Sequence, residues 1–129
     1  MILSSLYIGD SYERGRGVFS SESIAAGKII EISPVIVMGQ DERILLDKTL
    51  LHDYIFEWGE DEKKCCMALG YLSLYNHNYC SNAEYIMDFA LQTIKITTVR
   101  HIKRDEEIFI NYNGNWNNPK KVWFDKNRP

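Results

Sequence analysis

The sequence lacks a surplus of basic charge. Its 129 residues include 15 Lys and Arg against 18 Asp and Glu, which gives a formal net charge of −3. Proteins that bind nucleic acid cluster Lys and Arg to neutralise phosphates, so this balance speaks against nucleic acid as a direct partner. The same balance is compatible with a basic peptide as substrate.

Long apolar runs are also missing. No stretch approaches the roughly 18 apolar residues of a membrane-spanning helix, and we find neither a signal peptide nor an Asn-x-Ser/Thr sequon. The cysteines Cys65, Cys66 and Cys80 are odd in number and lack the paired spacing of a disulfide framework. We therefore expect a soluble protein with no membrane partner in a reducing intracellular setting, cytoplasmic or, in a eukaryotic host, nuclear.

Helical patterning is scarce, and most of the chain consists of short β-rich stretches separated by turn residues. Within Thr93–Thr98 the apolar residues Ile94 and Ile96 alternate with polar ones, which is the period of a half-buried strand. Pro34 lies between two apolar runs and predicts a strand junction or an edge, not a central strand. Together with a hydrophobic content of 45%, these patterns predict a single, mainly β domain.

The best helix candidate covers residues 42–52, with Asp41 available as its N-cap. Residues 54–58 could extend that helix or form a strand, and their alternating aromatic residues favour a strand. One or two further helical turns are expected around residues 67–71. Helix is therefore predicted to be a small part of the fold.

Three kinds of site can be weighed from residue types alone. His77 and Cys80, with Cys65 and Cys66, are nominal zinc ligands, but adjacent cysteines cannot easily send both sulfurs to one tetrahedral ion, so we predict no metal site. A Cys–His hydrolase would use Cys80 and His77, yet no protease signature surrounds them. The Gly-x-Gly at 15–17 lacks the remaining residues of a nucleotide loop, although glycines there let a ligand approach the backbone closely.

Three motifs occurring in a fixed order carry a more specific signal. They are "RGRGVF" near the start, "YNHNYCSNAEY" in the middle and "RDEEIFINY" near the end. This trio resembles the SET-domain protein lysine methyltransferases, whose signatures are a Gly-x-Gly turn, an Asn-His segment and an acidic pair leading a strand that ends in tyrosine. The resemblance runs from about residue 7 to residue 116 and is closest in length to the minimal stand-alone members of viruses and microbes.

The resemblance implies a fold as well as an activity. It implies one SET domain over residues 1–129, with a core at about 7–116 and an aromatic C-terminal tail at 117–129. The expected architecture is the mainly β, β-clip fold of several short strands in small sheets, with little helix and a pseudoknot-like threading of the C-terminal part. The expected activity is S-adenosylmethionine-dependent methylation of a protein lysine, with S-adenosylhomocysteine as product.

Site residues follow from the resemblance position by position. Tyr112 matches the catalytic tyrosine. Arg16 and Gly17 match backbone contacts to the methionine end of the cofactor, and Asn76 and His77 line its pocket, with the His77 amide and carbonyl reading the adenine edge.

The same resemblance implies a channel for the substrate lysine, lined by Tyr85, Ile110, Trp116 and Tyr54. Methyl transfer from a sulfonium to an amine is an in-line displacement that needs alignment and an electronegative cage more than a strong base. Aromatic walls suit the lysine stem and attract its charged form. Read without the motifs, these aromatics would be ordinary strand residues.

Several positions depart from the family pattern. Asn78 stands where serine is usual and Ser81 where proline is usual, which predicts a looser loop. Asp105 replaces a glycine, a mild change because both residues suit turns. Ile110 fills a position where an aromatic often limits methylation, so its smaller side chain predicts room for a higher methylation state.

The zinc-binding cysteine cluster that follows many SET domains is absent. We expect Trp116, Trp123 and Phe124 to close the channel and cover the adenine instead. The substrate class implied is a lysine-bearing protein or peptide, such as a histone or histone-like tail, with a non-histone protein as a further option. The alternative is a catalytically inactive, SET-like peptide-binding module, and a homodimer is compatible with the small size of the chain.

Overall fold

A computed structural model describes residues 1–12, 14–59 and 63–122. Within these ranges the chain is mainly β, as predicted, with one short α-helix and two 3-10 turns. The strands are β1 (Leu6–Ser11), β2 (Gly15–Ser20), β3 (Ile29–Met38), β4 (Phe56–Trp58), β5 (Lys64–Ala68), β6 (Asn76–His77), β7 (Ala83–Asp88), β8 (Thr93–Thr98) and β9 (Glu107–Ile110). The helix α1 covers Gln40–Leu46, and the 3-10 turns cover Leu50–Asp53 and Leu72–Leu74.

The first sheet brings the three motifs together. Its strand order is β1-β2-β9-β6, so the strands that carry the motifs are direct neighbours. β1 and β2 form an antiparallel hairpin, and β9 pairs antiparallel with β2. The two-residue strand β6 runs parallel to β9, with Asn76 opposite Phe109 and His77 opposite Ile110.

The second sheet has the order β4-β5-β3-β8-β7 and is antiparallel throughout. The predicted alternation in β8 is confirmed, because Ile94 and Ile96 are fully buried while Thr93, Lys95 and Thr97 are only half-buried. Apolar side chains from both sheets share one core. The sheets thus pack against each other through the face that the sequence marks as apolar.

Pro34 lies in the central strand β3, contrary to the prediction that it would not be in a central strand. β3 pairs with β8 through residues 29–34 and with β5 through residues 35–38. Pro34 therefore sits where the strand changes partner, and its carbonyl accepts a hydrogen bond from the Leu69 N–H at 3.1 Å. The junction was predicted correctly, but both apolar runs belong to one continuous strand.

The helix differs from its prediction in bounds and cap. It begins at Gln40 with Gly39, not Asp41, as N-cap, and the Gly39 N–H donates to the Glu42 carboxylate at 3.0 Å. It ends at Leu46, and a separate 3-10 turn follows, whose first residues are capped by the Thr49 hydroxyl. The leucine pattern in the sequence is compatible both with one helix over residues 42–52 and with a shorter helix followed by a 3-10 turn, so it could not decide between them.

The helical turns predicted around residues 67–71 are wrong in position. Residues up to Ala68 belong to β5, and a 3-10 turn begins only at Leu72. β5 pairs with both β3 and β4, and these cross-strand bonds outweigh local propensity. Of the strand predicted at 54–58, only Phe56–Trp58 is present, as β4, because Tyr54 ends the preceding 3-10 turn.

The segment 111–122 runs against the loop at residues 78–82, as the predicted threading requires. The Ser81 N–H donates to the Trp116 carbonyl at 2.9 Å, and the Val122 N–H donates to the Tyr79 hydroxyl at 3.1 Å. Trp123 and Phe124 lie outside the described residues. None of the described helices combines the length and apolarity needed to cross a bilayer.

Candidate active site

A cavity of about 460 Å³ opens beside the motif-bearing sheet. Its walls come from the start of β2, both 3-10 turns, β6 and the residues after β9. The lining residues are Arg14, Gly15, Arg16, Asp53, Tyr54, Ser73, Leu74, Asn76 and Tyr112. The structure therefore brings four predicted site residues, Arg16, Tyr54, Asn76 and Tyr112, to one cavity.

Asn76 braces the wall of this cavity with its side chain. Its amide nitrogen donates to the Arg16 carbonyl at 3.0 Å and to the Glu107 carboxylate at 2.8 Å. The other oxygen of Glu107 accepts from the Ser11 hydroxyl at 2.6 Å. One carboxylate and one amide thus link β1, β2, β6 and β9 at the edge of the cavity.

Gly17 is required by this close approach. A Cβ at Gly17 would lie 2.5 Å from the Glu107 Oε2 and 3.0 Å from the Asn76 Nδ2. Gly15 has a different reason for being glycine, since its φ of +74° falls in the left-handed region. The Gly-x-Gly motif therefore combines a turn requirement with a packing requirement.

The His77 side chain is buried behind the cavity. Its Nδ1 accepts from the Tyr112 backbone N–H at 3.0 Å, and its ring packs edge-on against Tyr79 at 4.3 Å between centroids. The His77 carbonyl, predicted to read the adenine edge, accepts from the Arg14 guanidinium at 2.9 Å. The ring thus positions Tyr112, and the His77 carbonyl, with Arg14 on one lone pair, keeps a second lone pair as an acceptor.

Tyr112 presents a neutral hydroxyl at the cavity. Burial raises the pKa of Tyr112 to about 12, and the positive charge of Arg14 opposes that rise. The hydroxyl donates to the Tyr75 carbonyl at 2.9 Å. At neutral pH Tyr112 is therefore an oriented hydrogen-bonding dipole and not a general base.

The other predicted channel residues do not line this cavity. Tyr85 donates its hydroxyl to the Tyr112 carbonyl at 3.0 Å and packs against Phe56, so it lies behind Tyr112. Ile110 is fully buried in the core, and Trp116 is 37% exposed. Of the four, only Tyr54 reaches the cavity.

Several residues of the site were not predicted. Arg14 and Glu107 lie inside the quoted motifs, so their signal was present but was not assigned to them. Asp53, Ser73 and Leu74 reach the cavity from the two 3-10 turns, where no local pattern marks a site. Only the tertiary fold could identify this second group.

The departures from the family pattern are accommodated by hydrogen bonds. Ser81 is fully buried; its N–H donates to the Trp116 carbonyl and its hydroxyl donates to the Ala83 carbonyl at 2.7 Å. Proline could make neither bond, and the looser loop stays a prediction. The Asn78 side chain accepts from the Cys80 N–H at 2.9 Å, and Asp105 adopts the left-handed φ of 61° that a glycine would tolerate.

No group of three or more metal-binding side chains occurs among the residues that the structure describes. Cys65 and Cys66 are buried in β5, whereas Cys80 is exposed. The cavity instead offers backbone groups, two arginines and hydroxyls. Such a lining, at a volume inside the roughly 300–1,000 Å³ of small-molecule pockets, suits an organic ligand with polar ends.

Comparison with known proteins agrees with this geometry. Residues 15–113 match the SET domain family model. Over 126 residues, 97% of this chain and 80% of the relative, the chain is 34% identical to a Schizosaccharomyces pombe protein named "Histone-lysine N-methyltransferase, H3 lysine-37 specific".

Solved structures show the same fold. A candidate histone methyltransferase of Plasmodium falciparum superposes with a TM-score of 0.63 at 30% identity, over 86% of this chain and 99% of that one. A Chaetomium thermophilum Polycomb Repressive Complex 2 bound to S-adenosylmethionine gives a TM-score of 0.72 at 23% identity, over 92% of this chain but 16% of that one. The chain belongs to the SET domain family and is a protein-lysine N-methyltransferase.

Proposed function

We propose that this methyltransferase uses S-adenosylmethionine, bound in the 460 Å³ cavity, and releases S-adenosylhomocysteine. The observation that carries the proposal is the convergence of the three motifs on that cavity, with the Tyr112 hydroxyl at its wall. A Polycomb structure of the same fold was solved with this cofactor. The cofactor supplies a sulfonium methyl group and leaves as S-adenosylhomocysteine, the deprotonated amine of the substrate lysine accepts the methyl group, and residues of this chain align the two.

The cavity wall fits the two ends of such a cofactor. Arg16 lines the cavity and would meet the methionine end together with the adjacent Gly17 backbone, and the guanidinium groups of Arg14 and Arg16 would complement a carboxylate. Asn76 lines the cavity, and its backbone and that of the adjacent His77 would meet the adenine end. In this arrangement the Asn76 side chain acts by holding the glycine turn in place.

Tyr112 and Tyr75 supply the oxygens that align the reaction. The Tyr112 hydroxyl and the Tyr75 carbonyl, 2.9 Å apart, present partial negative charge where a methyl group and an amine must lie in line. Tyr54, Tyr85, Ile110 and Trp116 remain our proposed channel for the lysine stem. Tyr54 belongs to the cavity itself, whereas the other three would act from behind or beside Tyr112.

The proposed substrate is a lysine of a histone or histone-like tail. The S. pombe relative is named for histone H3, and the net charge of −3 of this chain favours a basic peptide over nucleic acid. In a eukaryotic host such a substrate would place the protein in the nucleus. A homodimer remains a prediction that analytical ultracentrifugation can decide.

Calorimetry with S-adenosylmethionine tests the cofactor site without knowledge of the substrate. Asn76→Ala removes the hydrogen bonds to Arg16 and to the Glu107 carboxylate, so we expect affinity to fall about tenfold or more. Asn117→Ala alters an exposed asparagine and serves as the matched control. Equal affinity in wild type and Asn76→Ala would place the cofactor elsewhere.

Methyl transfer to histone peptides, followed by mass spectrometry, tests the role of Tyr112. We expect Tyr112→Phe to lose transfer by two orders of magnitude or more, because its hydroxyl is held at the reacting centre. Cofactor binding and the fold should persist, since the ring and the backbone bond to His77 remain. An undiminished rate in Tyr112→Phe would remove Tyr112 from the mechanism.

A further inference from the structure

Glu31 is a buried carboxylate that the reaction described above does not use. It lies in β3 and is 0% exposed. It accepts hydrogen bonds from the Tyr75 hydroxyl at 2.8 Å, the Ser33 hydroxyl at 2.7 Å and the Tyr71 N–H at 2.9 Å. Within the described ranges, 1–12, 14–59 and 63–122, Glu31 has no ion pair with a basic side chain.

The surroundings are shaped to this carboxylate. Gly70 has a φ of +64°, and a Cβ there would collide with the Glu31 carboxylate and the Ser33 hydroxyl. Burying a carboxylate costs free energy unless hydrogen-bond donors surround it. The donors that surround Glu31 are two hydroxyl groups and one backbone N–H, all neutral. An apolar residue at position 31 would avoid that cost. The presence of a carboxylate there therefore needs a reason other than packing.

The three donors show what Glu31 holds. Tyr71 and Tyr75 are the two ends of a segment that contains the second 3-10 turn. Between them Ser73 and Leu74 reach the cavity, and Asn76 follows immediately. A single carboxylate therefore fixes both ends of one cavity wall.

Tyr75 connects this anchor to the reacting centre. Its hydroxyl points into the core to Glu31, while its carbonyl accepts the Tyr112 hydroxyl at 2.9 Å. Burial, and next the charge of Glu31, raise the pKa of Tyr75 well above its ordinary value of 10.0. Tyr75 therefore stays protonated and keeps donating to Glu31 at every pH where the enzyme would work.

We propose that Glu31 is a positioning residue for methyl transfer, which sets the Tyr75 carbonyl, and through it the Tyr112 hydroxyl, by holding the Tyr75 side chain. The inference rests on the proposed role of Tyr112. Displacement of a reacting group by about 1 Å can cost about two orders of magnitude in rate, so a rigid anchor matters. A buried charge-assisted hydrogen bond is a stiffer anchor than an apolar contact, because it fixes distance and direction.

Tyr75→Phe is the sharpest test, because it removes the hydroxyl and keeps the ring in the core. We expect kcat to fall about tenfold or more while the KM for S-adenosylmethionine changes less than about threefold. Glu31→Gln should give the same split, and the double variant should be no worse than the more impaired single variant, because both changes break one connection.

Ser33→Ala is the matched control. It also removes a donor from Glu31, but Ser33 lies in β3 and does not belong to the cavity wall. We expect Ser33→Ala to lower the unfolding temperature while kcat stays within about twofold of wild type. The ring-carbon NMR signals of labelled Tyr112 should shift in Tyr75→Phe and stay in place in Ser33→Ala, a readout that does not depend on turnover.

The outcomes separate this inference from the proposed function. A wild-type kcat in Tyr75→Phe, when Tyr112→Phe is inactive, would overturn the positioning role and leave Glu31 as a structural residue. An equal loss of kcat in Ser33→Ala would do the same. Full activity in Tyr112→Phe would remove the role of Tyr112 on which this inference rests, while the cofactor site would still be decided by calorimetry. If Glu31→Gln does not fold, Tyr75→Phe alone decides.

Discussion

Gly17, Asn76 and Glu107 show what the motif residues do one by one. The Asn76 amide joins the Arg16 carbonyl to the Glu107 carboxylate, and Gly17 leaves room for both. Sequence resemblance assigned Asn76 and Gly17 to the ligand, but the contacts in the structure are chiefly to each other. At the scale of single residues, these side chains therefore hydrogen-bond to and pack against each other, and these contacts hold in place the backbone groups that a ligand would meet.

Gly17→Ala tests this support. Its Cβ would meet Glu107 at 2.5 Å, so the carboxylate, the Asn76 amide or the turn must move. We expect the free energy of unfolding to fall by about 1–3 kcal/mol and S-adenosylmethionine affinity to fall about tenfold or more. Thermal unfolding and calorimetry measure the two effects.

Gly39→Ala is the control for Gly17→Ala, since a Cβ at Gly39 meets nothing within 4 Å. As Gly39 is the N-cap of α1, a change of no more than about 1 kcal/mol is expected there. Indistinguishable behaviour of the two alanine variants would contradict the packing argument.

At the scale of elements, α1 and the 3-10 turn at Leu50–Asp53 form the least anchored part of the site. Neither contains a buried residue. Arg43 ties the helix to the sheet, pairing with Glu57 at 3.0 Å. Yet Asp53 and the adjacent Tyr54 line the cavity. Part of the cavity wall therefore sits on an element with few buried apolar contacts, the type of element that opens locally.

Arg43→Ala should loosen this element selectively. Ion pairs with exposed partners contribute about 0–1 kcal/mol, so the global unfolding temperature should change little. Hydrogen exchange read by mass spectrometry should become faster at residues 40–53 and stay constant in β3 and β8. Arg104→Ala, which breaks an exposed pair with Asp105, is the control. Uniform acceleration across the chain would show that α1 is part of the global folding unit.

At the scale of the whole molecule, the fold buries a thiol and a tyrosine hydroxyl in their neutral forms. Burial raises the pKa of Cys66 from 9.0 to about 12, and it raises the pKa of Tyr112 to about 12 as well. The folded state therefore holds these protons more tightly than the unfolded chain does. Their contribution to stability is complete below about pH 9 and is lost as pH rises toward 12.

Chemical denaturation at pH 8 and at about pH 10.5 tests this linkage. Between these values the wild type should lose about 2 kcal/mol more stability than Cys66→Ala, because the variant has no thiol to ionise on unfolding. Cys80→Ala, which alters an exposed cysteine, should keep the wild-type pH dependence. Parallel curves for wild type and Cys66→Ala would show that the buried thiol is not linked to folding.

Much of the fold could be predicted from local pattern. Alternation in Thr93–Thr98 gave the correct strand and the correct buried face, and the three motifs gave the family. The predictions fail where the conformation of a segment is decided by pairing with a strand that is distant in the sequence. Pro34 lies in a central strand because β3 pairs with β8 up to Pro34 and with β5 beyond it. The residues of β5 are extended, not helical, because β5 pairs with β3 on one side and with β4 on the other.

The sequence by itself determined the motif order, the mainly β character and the identity of Tyr112 as the candidate catalytic residue. The first two properties depend on residue types and on spacing along the chain, whereas the assignment of Tyr112 is what the resemblance to the SET family implies. Only the tertiary structure decided that Asp53 and Ser73 reach the cavity, that Ile110 lies in the core and that Glu31 anchors Tyr75. Those facts depend on contacts between residues far apart in the chain, such as the 44 positions from Glu31 to Tyr75, which no local pattern encodes.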